Sequence, residues 1–151
     1  MRAVIQRVRQ AEVAVDNGIK AQIGNGLLIF LGVEEGDTPE DVGWLVQKVP
    51  QIRCFEDAEG RMNRSLLDIA GQAMVISQFT LFGNLRKGSR PSFNRAAHPQ
   101  TAEVLYEAFV ARLGEQLATP VATGAFGRHM DILANNDGPV TLILDSRRKD
   151  I

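Results

Sequence analysis

The chain has 151 residues, 44% of them hydrophobic and 23% charged, the size and balance of one globular domain that needs no disulfide or metal to fold. Seventeen basic residues against eighteen acidic ones give a formal net charge of −1, which argues against a protein that tracks a long nucleic-acid duplex and leaves room for one that grips only the tip of an RNA. A single cysteine, Cys54, excludes an internal disulfide; with no apolar h-region and no apolar run near ~18 residues, neither a signal peptide nor a membrane helix is expected, and the expected location is the cytoplasm.

Residues 1–8 alternate in type, with Ala3, Ile5 and Arg7 on one face and Val4, Gln6 and Val8 on the other, which predicts a strand. Residues 12–15 continue it in extended form. Asp16-Asn17-Gly18 signals a hairpin turn, residues 19–23 answer it as a second strand, and Gly24-Asn25-Gly26 turns the chain again. The apolar run 27–31 has strand length and reads as buried on both faces. Thr38, Pro39, Glu40 and Asp41 mark a helix start, followed by Val42, Leu45, Val46 and Val49 at helical spacing until Pro50. Residues 53–55 suit a short strand and 56–64 a polar loop around Gly60. Residues 74–79 are the next clear strand, and 83–94 form a long polar loop of the kind that is uncommon unless it functions. A second helix is expected over 101–117, with the stripe Ala102, Leu105, Phe109, Leu113 and Leu117. Residues 121–123, 126–133 and 140–144 are further strand candidates, and the charged tail 146–151 is expected to be loose. Hairpins separated by two helices, without regular β-α alternation or repeats, predict a single α+β domain on antiparallel or mixed sheet.

Ordinary catalytic machinery is missing. His98 and His129 are not at metal-ligand spacing and there is no cysteine pair, so neither metal nor cofactor is expected. Cys54 is either a small core residue beside a strand or half of a Cys–His dyad. No nucleophile elbow, P-loop or dinucleotide fingerprint occurs. Ser77 and Thr80 stand near a strand end without an evident base, and so either hydrogen-bond backbone and ligand or act as a nucleophile.

Two segments change this picture. Ser77-Gln78-Phe79-Thr80-Leu81-Phe82 and Asn136-Asp137-Gly138-Pro139-Val140-Thr141 resemble the two signature motifs of the D-aminoacyl-tRNA deacylase family. The opening Met1-Arg2-Ala3-Val4-Ile5-Gln6-Arg7-Val8, the stretch Lys87-Gly88-Ser89-Arg90-Pro91-Ser92-Phe93 and the stretch Gly124-Ala125-Phe126-Gly127-Arg128-His129-Met130 are similar to further family segments in the same order. The resemblance runs from Met1 to about Arg147. It departs at Phe82, where many members carry Tyr, and at Asn135, where Thr is common.

The resemblance implies a barrel-like fold and a homodimer that acts on the 3′ end of D-aminoacyl-tRNA, with no membrane or DNA partner. Each pocket would receive Gly138-Pro139 from the neighbouring chain, joined by a cis peptide bond. Glycine lets main chain approach a ligand and proline stiffens it, so such a wall tolerates hydrogen but not a side chain. It would exclude L-residues, accept many D-residues, and fail to exclude glycine, so that glycine is also removed from tRNA for alanine. Arg7 would hold the Gly-Pro unit. Ser77, Gln78, Phe79 and Thr80 would line the acyl pocket, with the N–H groups of Phe79 and Thr80 at the oxyanion. Phe126 and Met130 would pack on the terminal adenine. Lys87 and Arg90, with Arg86, Arg147 and Arg148, would meet nearby phosphates. The substrate's own 2′-hydroxyl would help activate water, which accounts for the missing nucleophile. Two rivals remain: a small-molecule esterase on the same scaffold, and a non-catalytic RNA- or nucleotide-binding dimer.

Overall fold

The two extended stretches at 1–8 and 12–15 are one continuous strand, β1 (Arg2–Val15), in the computed structural model, which describes residues 1–16 and 18–150. Asn17, at the centre of the expected turn, and Ile151 lie outside the described residues. Alternation along β1 changes phase: Ala3 and Ile5 are buried in one core cluster, whereas Val8, Ala11 and Val13 belong to another. The pairing of β1 with the last strand shifts register around Val8, and such an irregularity swaps which face each side chain meets.

β1 is the spine of the sheet. Its first half pairs antiparallel with β3 (Gly26–Gly32) and its second half with β2 (Gly18–Ile23). Its other edge is lined by β8 (Asp131–Asp145), which is one strand where the sequence suggested two. β6 (Gln72–Ser77) runs parallel to β3, and β7 (Ala122–Thr123) runs parallel to β6. β2 in turn lies against β6 and β7, so the mixed sheet curls towards a barrel. The buried run Leu27, Leu28, Ile29 and Leu31 has a core on each side. At the entry to β3 a Cβ on Gly26 would stand 1.8 Å from the carbonyl oxygen of Gln72, a separation that only glycine avoids.

Two helices cover one face. α1 (Pro39–Lys48) begins as expected at Thr38, whose N–H donates to the Asp41 carboxylate at 2.8 Å. α2 (Pro99–Leu117) starts two residues earlier than its stripe suggested, because Pro99 fits the first helical turn. Leu105, Tyr106, Phe109 and Leu113 are its buried residues; Ala102 and Leu117 are half-buried. They pack with Val42, Leu45 and Val46 of α1 over Ala3, Ile5, Leu27 and Ile29 of the sheet. The supposed polar loop after residue 55 is a hairpin of β4 (Phe55–Glu56) and β5 (Met62–Arg64). Its turn is closed by the Asp57 carboxylate, which accepts the N–H groups of Glu59 and Arg61, and Gly60 supplies φ +75°.

The C-terminal residues, expected to be loose from 146 onward, are tied in as far as Arg148. Ser146 is buried and accepts a hydrogen bond from the Met1 amine at 2.6 Å. Arg147 pairs with Asp37 at 3.0 Å, and Arg148 N–H donates to Asp145. Charge composition suggested fraying because it does not reveal buried carboxylates waiting elsewhere in the chain. No helix among the described residues is long and apolar enough to cross a membrane.

Candidate active site

β6 delivers the first signature segment. Past Ser77, Gln78 N–H still donates to Leu31 O at 2.8 Å, extending the parallel pairing by one residue. The backbone then bends (Gln78 φ −145°, ψ 82°) into a 3-10 turn over Phe79–Phe82. Phe82 is buried and anchors this turn, whereas Phe79 is 58% exposed and meets Phe93 edge-on at 5.0 Å. The Gln78 amide donates to the Thr80 hydroxyl. At the start of the turn the N–H groups of Phe79 and Thr80 have no acceptor among the described residues, as expected for the first donors of a helical turn.

A cavity of about 670 Å³ opens beside this turn. Ser77, Gln78 and Phe79 line it together with the apolar Leu31 and Ile76 and with Phe126 and Met130. The glycines of the 124–130 stretch explain that arrangement. A Cβ on Gly124 would stand 2.3 Å from Met130 Sδ and 3.2 Å from Ile76 Cδ1, so its absence admits the methionine. Gly127, at φ +70°, turns the chain, and Arg128 N–H closes the turn on Ala125 O at 3.2 Å. Phe126 tilts against Tyr106 at 5.7 Å.

Tyr106 was not singled out by its helical stripe. It also lines the cavity, and its hydroxyl donates to Val75 O at 2.8 Å. Burial, reinforced by Glu107, pushes its pKa up to about 12, so it stays neutral. The available signal was its place next to Leu105 on the stripe, since a buried tyrosine needs a hydroxyl partner. Phe93, His98, Arg128 and His129 at the cavity were also missed as site residues. They lie on loops or at a helix end, where periodicity carries no information.

The second signature segment forms a separate cluster on β8. Gly138 has φ +132° and is joined to Pro139 by a cis peptide bond; both residues are exposed. Arg7 is 5% exposed. Its Nε donates to Asp137 O at 3.0 Å and one terminal nitrogen donates to Cys54 O at 2.6 Å. The Asp137 carboxylate lies 3.2 Å from Arg7 Nε and is also reached by Arg9 at 3.1 Å. A Cβ on Gly138 would meet Val140 N at 2.8 Å and the Arg7 guanidinium at 3.3 Å. Neither Gly138 nor Pro139 lines the cavity of its own chain.

Lys87 and Arg90 stand exposed on the 83–94 loop, pinned at its base by mutual Asn84 and Ser92 backbone bonds of 2.8 and 3.0 Å. Neither has a carboxylate partner among the described residues. Thr80 sits on the turn but is not among the cavity-lining residues. Cys54 is buried, and burial pushes its thiol up against the smaller pull of Arg7; this is a core cysteine, the opposite of an activated nucleophile. No group of three or more His, Cys, Asp or Glu suited to a metal ion occurs among the described residues.

Residues 4–145 match the family model described as D-Tyr-tRNA(Tyr) deacylase. A D-aminoacyl-tRNA deacylase of Opitutus terrae is 54% identical over 150 residues, covering 99% of this chain and 100% of the relative. One of Chloroflexus aurantiacus is 56% identical over 146 residues, covering 97% and 91%. Among solved structures, one titled c-Myc DNA Unwinding Element Binding Protein superposes with a TM-score of 0.91 at 35% identity, covering 96% of this chain and 98% of that one. A probable eukaryotic D-amino acid tRNA deacylase superposes at 0.80 and 17% identity, covering 95% and 97%, a likeness of fold alone.

Proposed function

This chain belongs to the D-Tyr-tRNA(Tyr) deacylase family, and from that premise we propose how its two separated clusters remove D-amino acids from tRNA. The enzyme is a D-aminoacyl-tRNA deacylase, a hydrolase of the ester joining amino acid to tRNA. The observation that carries the finer reading is the exposed Gly138-Pro139 unit, braced by buried Arg7 and outside the lining of its own cavity. In a homodimer it would enter the neighbour's pocket beside Gln78, Phe79 and Thr80. The free outer edge of β8 supports the dimer: among the described residues this 15-residue strand pairs only with β1, and Leu133 and Ile143 on it are 70% and 51% exposed. A long, partly apolar edge needs a cover.

Within that pocket the ester carbonyl lies against the turn, where the N–H groups of Phe79 and Thr80 receive the developing oxyanion. The terminal adenine rests on Phe126 and Met130, and Lys87 and Arg90 meet phosphates. Water is activated with help from the terminal 2′-hydroxyl, and orientation supplies much of the rate. Main chain at Gly138-Pro139 excludes an L side chain, whereas glycine passes, so glycyl-tRNA(Ala) is a substrate. The enzyme works in the cytoplasm, where charged tRNA is found.

One comparison tests this reading: deacylation of D-Tyr-tRNA, L-Tyr-tRNA and a D-aminoacyl-tRNA ending in 2′-deoxyadenosine. Release from the first alone is expected. Release of L-Tyr removes the filter, release from the deoxy substrate favours an ordinary esterase, and binding without turnover favours a non-catalytic RNA-binding dimer. Ile143→Glu is expected to yield monomers by light scattering and to abolish turnover.

A further inference from the structure

We propose that Arg2 is a positioning residue for deacylation, its guanidinium holding the 3-10 turn that carries Gln78, Phe79 and Thr80. The inference rests on the reading of that turn as the acyl pocket. A single turn of 3-10 helix has few hydrogen bonds of its own and poor geometry in them. Here it is tied backwards by Gln78 N–H to Leu31 O and closed by Gly83 N–H to Thr80 O at 2.9 Å. Leu81 N–H also donates to Gln78 O at a long 3.4 Å, and a side-chain tie comes from Arg2, one of whose terminal nitrogens donates to Leu81 O at 2.8 Å. Its Nε and other terminal nitrogen donate to Asp145 Oδ2 at 3.0 and 2.8 Å.

That carboxylate is itself fixed. Its side chain is 3% exposed, and Oδ1 accepts the N–H groups of Arg147 and Arg148 at 3.0 and 3.1 Å. Arg2 and Asp145 also face each other in the β1–β8 ladder. The guanidinium therefore cannot drift without breaking strong bonds, and Leu81 is held where the sheet holds Arg2. Phe82 adds a second hold. Arg2 lies 5.0 Å and Arg95 5.9 Å from its ring centre, and Arg95 is paired to Glu34 at 2.7 Å. The fork matters: a guanidinium reaches carboxylate and carbonyl together, whereas a lysine ammonium on a flexible stem keeps the charge pair and loses the second bond.

The test compares the full-length wild type with Arg2→Lys, Arg2→Met and Arg2→Met/Asp145→Asn. It measures Tm and the single-turnover deacylation rate of D-Tyr-tRNA as enzyme is raised to saturation. Arg2→Lys is expected to keep a Tm near wild type, yet to lose about tenfold in saturating rate, with the half-saturating concentration within about twofold. Arg2→Met lowers both Tm and rate. Adding Asp145→Asn removes the unpaired carboxylate and recovers Tm without recovering rate. A wild-type rate in folded Arg2→Lys, or rate and Tm recovering together in the double variant, would overturn the positioning role. A wild type inert on D-Tyr-tRNA would instead overturn the functional reading itself.

Discussion

Arg7 was legible as a site residue only through the family motif, since periodicity placed it on a core face where a guanidinium is costly. The fold accepts it because two backbone carbonyls and Asp137 take its donors. Arg7→Ala is expected to cost about 2 kcal/mol in urea unfolding by orphaning the Cys54 carbonyl. Turnover of the folded protein should fall further than stability does, because Gly138-Pro139 loses its brace. Thr80→Ala is expected to keep turnover within about threefold, since the hydroxyl only accepts the Gln78 amide and the turn's main chain remains. Asp145 sets an acid limit. Burial pushes its carboxyl up, but hydrogen bonds from Arg2 and from the Arg147 and Arg148 main chain outweigh this and hold it below the usual range. A folded pKa below the unfolded one adds stability that is complete above the unfolded value, roughly 4, and is lost as pH falls through the folded value. Urea midpoints should therefore be flat from neutrality to about pH 5 and drop below about pH 4, less steeply in Asp145→Asn.

The second helix shows what an element's own sequence specifies. An apolar stripe was enough to locate α2, missing its start at Pro99 but not its end at Leu117. There Ala118 takes φ +52°, a conformation that suits glycine better than any residue with a Cβ. Ala118→Gly is expected to raise stability by roughly 0.5–1 kcal/mol in the same unfolding assay. β8 was read as two strands because its centre, from Asn135 to Pro139, carries turn-forming residues. Pairing along most of β1 carries the strand through that centre, which becomes a projecting feature rather than a break. The β4–β5 hairpin was hidden for another reason: all three residues of β5 are exposed, so no alternation of apolar and polar types announces it.

At the scale of the molecule the cavity and the Gly138-Pro139 cluster are separate features of one chain, and a second chain is what the proposed chemistry requires. A net charge of −1 and, among the described residues, one arginine at the cavity, Arg128, itself paired with Asp16, mean few phosphate contacts. Binding of D-Tyr-tRNA should therefore weaken only about tenfold between roughly 50 and 200 mM salt, far less than for a protein that neutralises many phosphates. No metal-ligand cluster accompanies the cavity among the described residues, and EDTA is expected to leave turnover within about twofold.

The sequence alone determined the α+β class, both helices, the core strand at 27–31 and the family, because these depend on local period, caps and contiguous motifs. Its family-like segments also named Gln78, Phe79, Phe126 and Met130, which the fold gathers around one cavity. Only the tertiary structure decided which strands β1 brings together, that Arg7 reaches across to Asp137, and that Tyr106 closes the cavity from α2. The physical reason is that a side chain's hydrogen-bond partner or neighbour far along the chain leaves no periodic trace in the residues beside it. It exists only once the sheet has curled and the helices have packed on it.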